Sequence, residues 1–167
     1  MNPKQDWVET AKKTAALEAV KHVKDGFTVG LGSGSTAAYA IEEIGRRMKR
    51  EELRVQGVPT SYQAFMLAVQ HGIPATTLEE QPTLDLTIDG ADQIDPDLNL
   101  IKGMGGALAR EKIVAAASKS LVIIADENKK VKVLGERGHP VPVETLTFAA
   151  SLVKQRIRKI GGTPVLR

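Results

Sequence analysis

Residues 27–36 read FTVGLGSGST, a short apolar run that leads into a turn of glycine and serine. The run FTVGL is typical of a short buried strand, and a helix is predicted after the turn, from Thr36 to about Arg50. A strand joined by a tight turn to a helix is the first half of a βαβ unit. This stretch therefore predicts an α/β fold.

The alternation of strand and helix continues on both sides of this unit. A helix is predicted from Pro3 to Gly26, and further strands and helices are predicted downstream, the strands at 53–58, 84–90 and 120–126, a short apolar run at 98–101, and the helices at 60–72 and 106–118. Such alternation predicts a Rossmann-like, mainly parallel sheet with helices on both faces. The nearly all β-branched strand SLVIIAD (120–126) is typical of a strand buried on both faces.

The pattern changes after Lys130. HPVPVE (139–144) is typical of an edge strand broken by prolines, 147–160 of an amphipathic helix, and TPVLR of the opening of another strand. We therefore expect a main α/β domain over residues 1–130 and the start of a small α+β domain over 131–167.

The composition limits the chemistry that is available. The chain has 167 residues and no cysteine, so disulfides, thiolate catalysis and cysteine metal sites are excluded. No apolar stretch is long enough to span a bilayer, and the first ten residues, MNPKQDWVET, lack a signal-peptide pattern. These features predict a cytoplasmic protein without a membrane partner.

The net charge of +3 does not indicate a nucleic-acid partner. Five of the 23 basic residues lie in 151–167, which has no acidic residue, and this leaves 18 basic against 20 acidic residues in 1–150. No aromatic residues are interleaved with those C-terminal charges for base stacking. The basic run is typical of a solvated helix face, and we expect no nucleic-acid partner.

Four polar or glycine-rich motifs each follow a predicted strand: GSGST (32–36), DGAD (89–92), KGMGG (102–106) and DENKK (126–130). Ligands of open α/β sheets bind beyond the carboxyl ends of the strands. The four motifs are therefore expected to converge on one cleft.

The GSGST turn precedes a helix N-terminus, where free N–H groups and the helix dipole favour an anion. A tight turn with Ser35 or Thr36 as N-cap is the simpler alternative. The pattern Gly32-x-Gly34-x-x-Ala37 also fits a dinucleotide fingerprint, but the next strand ends in Pro59-Thr60-Ser61 without the required acidic residue. No Gly-Lys-Ser/Thr closes the turn as in a nucleotide P-loop.

Three carboxylates are the remaining candidates for chemistry. Asp89 and Asp92 could hold sugar hydroxyls or trade a proton, or could simply form a turn, and they are too sparse for a metal site. Glu111 lies on a helix face expected to be buried, with no basic residue at i±4, so its pKa should be raised to suit a general base. A longer-range salt bridge is the alternative for Glu111.

Four segments, GLGSGSTA (30–37), DLTIDGADQID (85–95), IKGMGGALAREKI (101–113) and VIIADENKKV (122–131), resemble the A-type ribose-5-phosphate isomerase family. The similarity runs in order from Lys12 to about Gly162. It implies a cytoplasmic, cofactor-free and metal-free enzyme of the non-oxidative pentose phosphate pathway, active as a homodimer or homotetramer on a phosphorylated pentose.

The resemblance also implies roles for individual residues. Glu111 is the expected proton acceptor, Asp89 and Asp92 open the sugar ring, and Lys102 stabilises the enediolate oxygen. The residues expected to bind substrate are Lys12, Ser33, Gly34, Ser35, Thr36, Asp89, Gly90, Ala91, Asp92, Lys102, Gly103, Met104, Gly105 and Lys129.

The sequence departs from the family pattern in two places. Met104 stands where glycine is frequent, and relatives continue past TPVLR, so residues 131–167 are expected to be a truncated part of a small lid-like domain. A sugar-phosphate-sensing module is the main rival function, although no helix-turn-helix precedes the fold. A nicotinamide-dependent oxidoreductase is the second rival function, but this chain lacks the acidic residue that would bind the ribose of the cofactor.

Overall fold

The structure, a computed structural model, describes the backbone of residues 3–167 and the side chains of residues 6–167. The helices are α1 (Pro3–Val20), α2 (Ser35–Glu51), α3 (Tyr62–His71), α4 (Leu108–Ala116) and α5 (Ala150–Lys159). The strands are β1 (Thr28–Leu31), β2 (Gln56–Pro59), β3 (Leu86–Gly90), β4 (Gln93–Ile94), β5 (Leu100–Ile101) and β6 (Leu121–Ile124). Three short 3-10 helices lie at Glu127–Lys129, Glu136–Gly138 and Thr147–Ala149.

Four strands form the predicted parallel sheet, in the order β2-β1-β3-β6. The other two strands, β4 and β5, form a small antiparallel pair after β3. β1 and β3 are therefore neighbours at the centre of the sheet, and their carboxyl ends lead directly into the GSGST and DGAD motifs. The parallel α/β fold expected from the sequence is confirmed.

The helices cover both faces of this sheet. Side chains alternate between the faces of a strand, and Val29, Leu31, Leu86 and Ile88 pack in one core cluster with residues of α1, α2 and α3. On the opposite face, a side chain at Gly30 would lie 2.6 Å from Val114 of α4. That face therefore admits α4 only because β1 carries a glycine there.

The last strand departs from the expectation of burial on both faces. β6 closes the sheet at one edge, with β3 as its neighbour. Leu121 is 45% exposed, and Val122 and Ile123 are partly exposed. The β-branched residues of β6 predict a strand correctly, but they do not fix its position within the sheet.

Residues 131–167 contain the predicted helix, as the 3-10 turn Thr147–Ala149 followed by α5, but neither of the predicted strands. The segment 139–144 is extended and lies over the KGMGG loop, where a side chain at Gly103 would lie 3.0 Å from Cβ of Pro142. Pro140 and Pro142 lack the N–H groups that a strand ladder needs. The expectation of strands at 139–144 and at TPVLR was wrong. Within the described residues, no helix is long and apolar enough to cross a membrane.

Candidate active site

The carboxyl ends of β1 and β3 touch through Gly32 and Asp89. The N–H of Gly32 donates to the carbonyl of Ile88 (2.9 Å), and the N–H of Ser33 donates to Oδ1 of Asp89 (3.1 Å). A Cβ atom at position 32 would lie 2.6 Å from the Cα of Asp89. The glycine is therefore needed for the close approach that joins the GSGST and DGAD motifs.

The start of α2 is open to an anion. Its N-cap is Gly34, which has a φ of 94° and no side chain to cap the helix. The alternative in which Ser35 or Thr36 caps the helix was therefore wrong, and both residues lie inside its first turn. The backbone N–H groups of that first turn donate to no capping side chain and can bind a negatively charged group.

A pair of hydroxyl groups lies between the GSGST turn and the end of β2. The Oγ of Ser33 is 2.8 Å from Oγ1 of Thr60, which in turn lies 2.9 Å from the carbonyl oxygen of Leu31. Thr60 is completely buried. It follows β2 at the same edge of the sheet, and no role for it was predicted from the sequence.

Lys102, at the start of the KGMGG loop, contacts both the DGAD turn and helix α4. Its ammonium donates to Oδ2 of Asp89 at 2.9 Å and to the carbonyl of Gly90, and it lies 3.2 Å from Oε2 of Glu111. Only 17% of the Lys102 side chain is exposed. A largely buried cation is thus fixed between two buried carboxylates.

Glu111 lies in the first turn of α4, 6% exposed, as the helix pattern predicted. Burial raises the pKa of the Glu111 carboxyl, and the negative charge of Asp89 raises it further, whereas the Lys102 ammonium lowers it. The 3.2 Å contact with Lys102 is an ion pair outside hydrogen-bond geometry, because Oε2 has no hydrogen-bond partner among the described residues. The long-range salt bridge and the raised pKa, which the sequence offered as alternatives, therefore occur together.

Asp92 and the KGMGG loop form the next wall. Oδ2 of Asp92 accepts a hydrogen bond from the N–H of Met104 at 3.0 Å, and Gly103 adopts a φ of 104° that favours glycine. Met104 is 36% exposed, and its carbonyl accepts a hydrogen bond from Arg167. The loop through Gly105 is therefore held against the DGAD turn, which includes Ala91.

Two of the lysines expected to bind substrate lie outside this cluster. Lys12 lies on α1 and pairs with Glu9 at 2.7 Å, and the other oxygen of Glu9 accepts from Tyr39 in α2. Lys129 ends the 3-10 helix that follows β6, beside the buried Asp126 that caps it. Across the described part of the chain, neither lysine forms an ion pair with the Asp89–Lys102–Glu111 cluster, and their binding roles stay predictions.

One hydrogen bond to the start of α4 comes from far along the chain. Oε2 of Glu144 accepts a hydrogen bond from the N–H of Ala109, 2.6 Å away, in the first turn of α4. This contact was not predicted, because HPVPVE is typical of an edge strand. In the described range, no group of three or more His, Asp or Glu side chains is arranged to hold a metal ion.

Comparison with known proteins identifies one family. The sequence profile of the family described as ribose 5-phosphate isomerase A (phosphoriboisomerase A) matches residues 56–167. A protein named ribose-5-phosphate isomerase A from Roseiflexus castenholzii is 50% identical over 157 residues, which cover 93% of this chain and 67% of that protein. The chain spans about two thirds of the length of such relatives.

Solved structures agree. A ribose 5-phosphate isomerase A from Methanocaldococcus jannaschii superposes with a TM-score of 0.90 at 48% identity, covering 95% of this chain and 70% of that one. A second, a D-ribose-5-phosphate isomerase in complex with phospho-erythronic acid, gives a TM-score of 0.87 at 42% identity, covering 96% of this chain and 68% of that one.

Proposed function

The chain belongs to the ribose 5-phosphate isomerase A family, and from that membership we propose that it interconverts ribose 5-phosphate and ribulose 5-phosphate, with Glu111 carrying the proton. The family is one of isomerases. We further propose that the reaction passes through an enediolate intermediate, with distinct roles for individual side chains of these 167 residues.

One observation carries the proposal: a buried glutamate and a lysine face each other 3.2 Å apart at the carboxyl edge of a parallel sheet. Aldose–ketose isomerisation needs one base that takes a proton from a carbon and returns it to the neighbouring carbon. It also needs a positive group beside the oxygen that becomes negative. Glu111 and Lys102 supply this pair.

We propose that the reaction proceeds by three proton transfers. In the open-chain aldose, the Glu111 carboxylate takes the proton from C2, and the C–H electron pair forms the C1–C2 double bond while O1 becomes negative. The Lys102 ammonium stabilises O1. A proton then passes from the O2 hydroxyl to O1, and the protonated Glu111 returns its proton to C1, which leaves the C2 ketone.

Other residues orient the sugar. Asp89 is fully buried and holds both Lys102 and the backbone of Ser33, whereas the half-buried Asp92 is nearer the surface for ring opening. The open first turn of α2 would take the phosphate, with Ser35 and Thr36 as donors. A relative solved with phospho-erythronic acid supports a phosphorylated acyclic sugar derivative as the ligand class.

The direct test is conversion of ribose 5-phosphate to the ketose by the purified chain, without added cofactor, before and after treatment with a chelator. We expect turnover in both cases. Binding of the sugar phosphate without turnover would instead support the sensing module, and titration with NAD or NADP tests the oxidoreductase. The predicted homodimer or homotetramer is tested separately by the solution mass.

A further inference from the structure

The hydroxyl pair of Ser33 and Thr60 has a fixed direction. A threonine hydroxyl carries one proton, and a carbonyl oxygen can only accept. Oγ1 of Thr60 lies 2.9 Å from the carbonyl oxygen of Leu31, so the Thr60 proton points to that carbonyl. Ser33, 2.8 Å away on the other side, must then donate its own proton to Thr60.

The reverse arrangement is unfavourable. If Thr60 donated to Ser33 instead, two oxygens 2.9 Å apart, those of Thr60 and Leu31, would face each other without a proton between them. Thr60 has no exposed surface, so solvent water does not reach it to relieve that contact. The chain of hydrogen bonds therefore runs from Ser33 to Thr60 to Leu31.

This direction leaves Ser33 with nothing to donate to a ligand. Its hydroxyl proton is held by Thr60, and its backbone N–H is held by Oδ1 of Asp89 at 3.1 Å. What remains are the two lone pairs of Oγ. The phosphate monoester of the sugar, as a dianion, carries no proton and cannot donate to them, whereas a sugar hydroxyl can.

We propose that Thr60 is a positioning residue that fixes the Ser33 hydroxyl as a hydrogen-bond acceptor, so that Ser33 binds a hydroxyl group of the pentose and not its phosphate. The inference rests on the proposed isomerase function and deepens it. It divides the GSGST turn into two parts: Ser33 facing the sugar, and Ser35 and Thr36 facing the phosphate.

The experiment compares two probes on the full chain: ribose 5-phosphate as substrate and inorganic phosphate as competitive inhibitor. For Ser33→Ala, we expect kcat/KM for ribose 5-phosphate to fall about tenfold, the effect of one lost hydrogen bond, and the inhibition constant of inorganic phosphate to stay unchanged. An equal loss in phosphate binding would show that Ser33 donates to the phosphate and would overturn the inference.

Thr60→Val tests the positioning role, because valine keeps the shape and removes the acceptor for Ser33. Thr60→Val should reproduce most of the loss in kcat/KM that Ser33→Ala causes, whereas Thr60→Ser, which keeps the hydroxyl, should retain activity. The double variant Ser33→Ala/Thr60→Val should lose no more kcat/KM than Ser33→Ala alone. Additive losses in the double variant would contradict the proposal. If Thr60→Val does not fold, the effects of Ser33→Ala on ribose 5-phosphate turnover and on inhibition by inorganic phosphate still decide whether Ser33 binds the sugar or the phosphate.

A matched control exists in a second, partly buried hydroxyl pair. Oγ1 of Thr87 lies 2.6 Å from Oγ of Ser118, and Ser118 donates to the carbonyl of Val114. Thr87→Val removes an equally buried hydroxyl and should leave the kinetics of both probes unchanged. If the parent chain turns over ribose 5-phosphate and Thr60→Val has the same kcat/KM, this inference is overturned and the proposed function stands. If the parent chain shows no turnover, the proposed function is contradicted and this inference with it.

Discussion

The Nζ atom of Lys102 lies 3.2 Å from Oε2 of Glu111. The same ammonium donates to Asp89 at 2.9 Å, so one cation is shared by two buried carboxylates with different surroundings. Asp89 also accepts from two backbone N–H groups, those of Ser33 and Gly90, whereas Oε2 of Glu111 has no hydrogen-bond partner among the described residues. The carboxylate with fewer donors is the one suited to exchange a proton.

Glu111→Gln should abolish most turnover while it spares binding. The amide keeps the size of the side chain but cannot take a proton from carbon, so we expect kcat to fall by about two orders of magnitude or more with little change in the affinity for ribose 5-phosphate. Steady-state kinetics and a direct binding titration measure the two quantities.

The matched control for this variant is Glu43→Gln. Glu43 is also a buried helical glutamate, 8% exposed, but it pairs with Arg46 on α2, away from the cluster. Its substitution should leave kcat unchanged. Near-normal kcat in Glu111→Gln would show that another group moves the proton.

The pH dependence of the reaction should respond with opposite signs to two substitutions. Because the pKa of Glu111 is raised, the acidic limb of kcat/KM should lie above the range of an ordinary glutamate. Lys102 lowers that pKa, so Lys102→Gln should move the limb to higher pH. Asp89 raises it, so Asp89→Asn should move the limb to lower pH. The residual activity of each variant, measured against pH, tests the assignment, and shifts in the same direction would refute it.

The thermal stability of Glu111→Gln should also depend on pH. A carboxyl with a raised pKa in the folded state is ionised there at a cost, which is absent at low pH and grows as the pH rises from the unfolded pKa to the folded pKa. Glutamine has no such cost. The variant should therefore melt at a higher temperature than the parent at neutral pH, and the difference should shrink as the pH is lowered; melting curves over that range measure it. A difference that grows on acidification would mean that the pKa of Glu111 is lowered in the folded chain.

The general layout of the site could be predicted because it follows from the topology. In a parallel sheet, every strand ends at the same edge, so GSGST, DGAD and DENKK had to lie along that edge once the strands were recognised. The helical period placed Glu111 on the buried face of α4. Neither step required knowledge of the strand order.

Thr60 and Glu144 could not be found in the same way. Thr60 matters because β2 lies next to β1 in the sheet, which brings it within 2.8 Å of Ser33, and the strand order is not visible in the sequence. Glu144 reaches Ala109 across 35 residues, from a segment whose alternating valines and prolines look like a strand. Both contacts depend on long-range packing, which local periodicity does not encode.

Gly32→Ala should destabilise the fold and disturb the site together. A methyl group at position 32 would lie 2.6 Å from the Cα of Asp89, and this contact is to backbone, which cannot rotate away. Either β1 or β3 must shift, so we expect a loss of about 1–3 kcal/mol in the free energy of unfolding, measured by urea denaturation.

Gly90→Ala is the matched control for stability, since a methyl group there would meet its nearest neighbour at 3.8 Å, an ordinary contact. It should unfold close to the parent. Because Asp89 holds Lys102, the strand shift caused by Gly32→Ala should also lower kcat in the fraction that remains folded. A Gly32→Ala chain with parental stability and kcat would show that the contact between β1 and β3 is looser than the structure has it, and that the Asp89–Lys102–Glu111 arrangement does not depend on it.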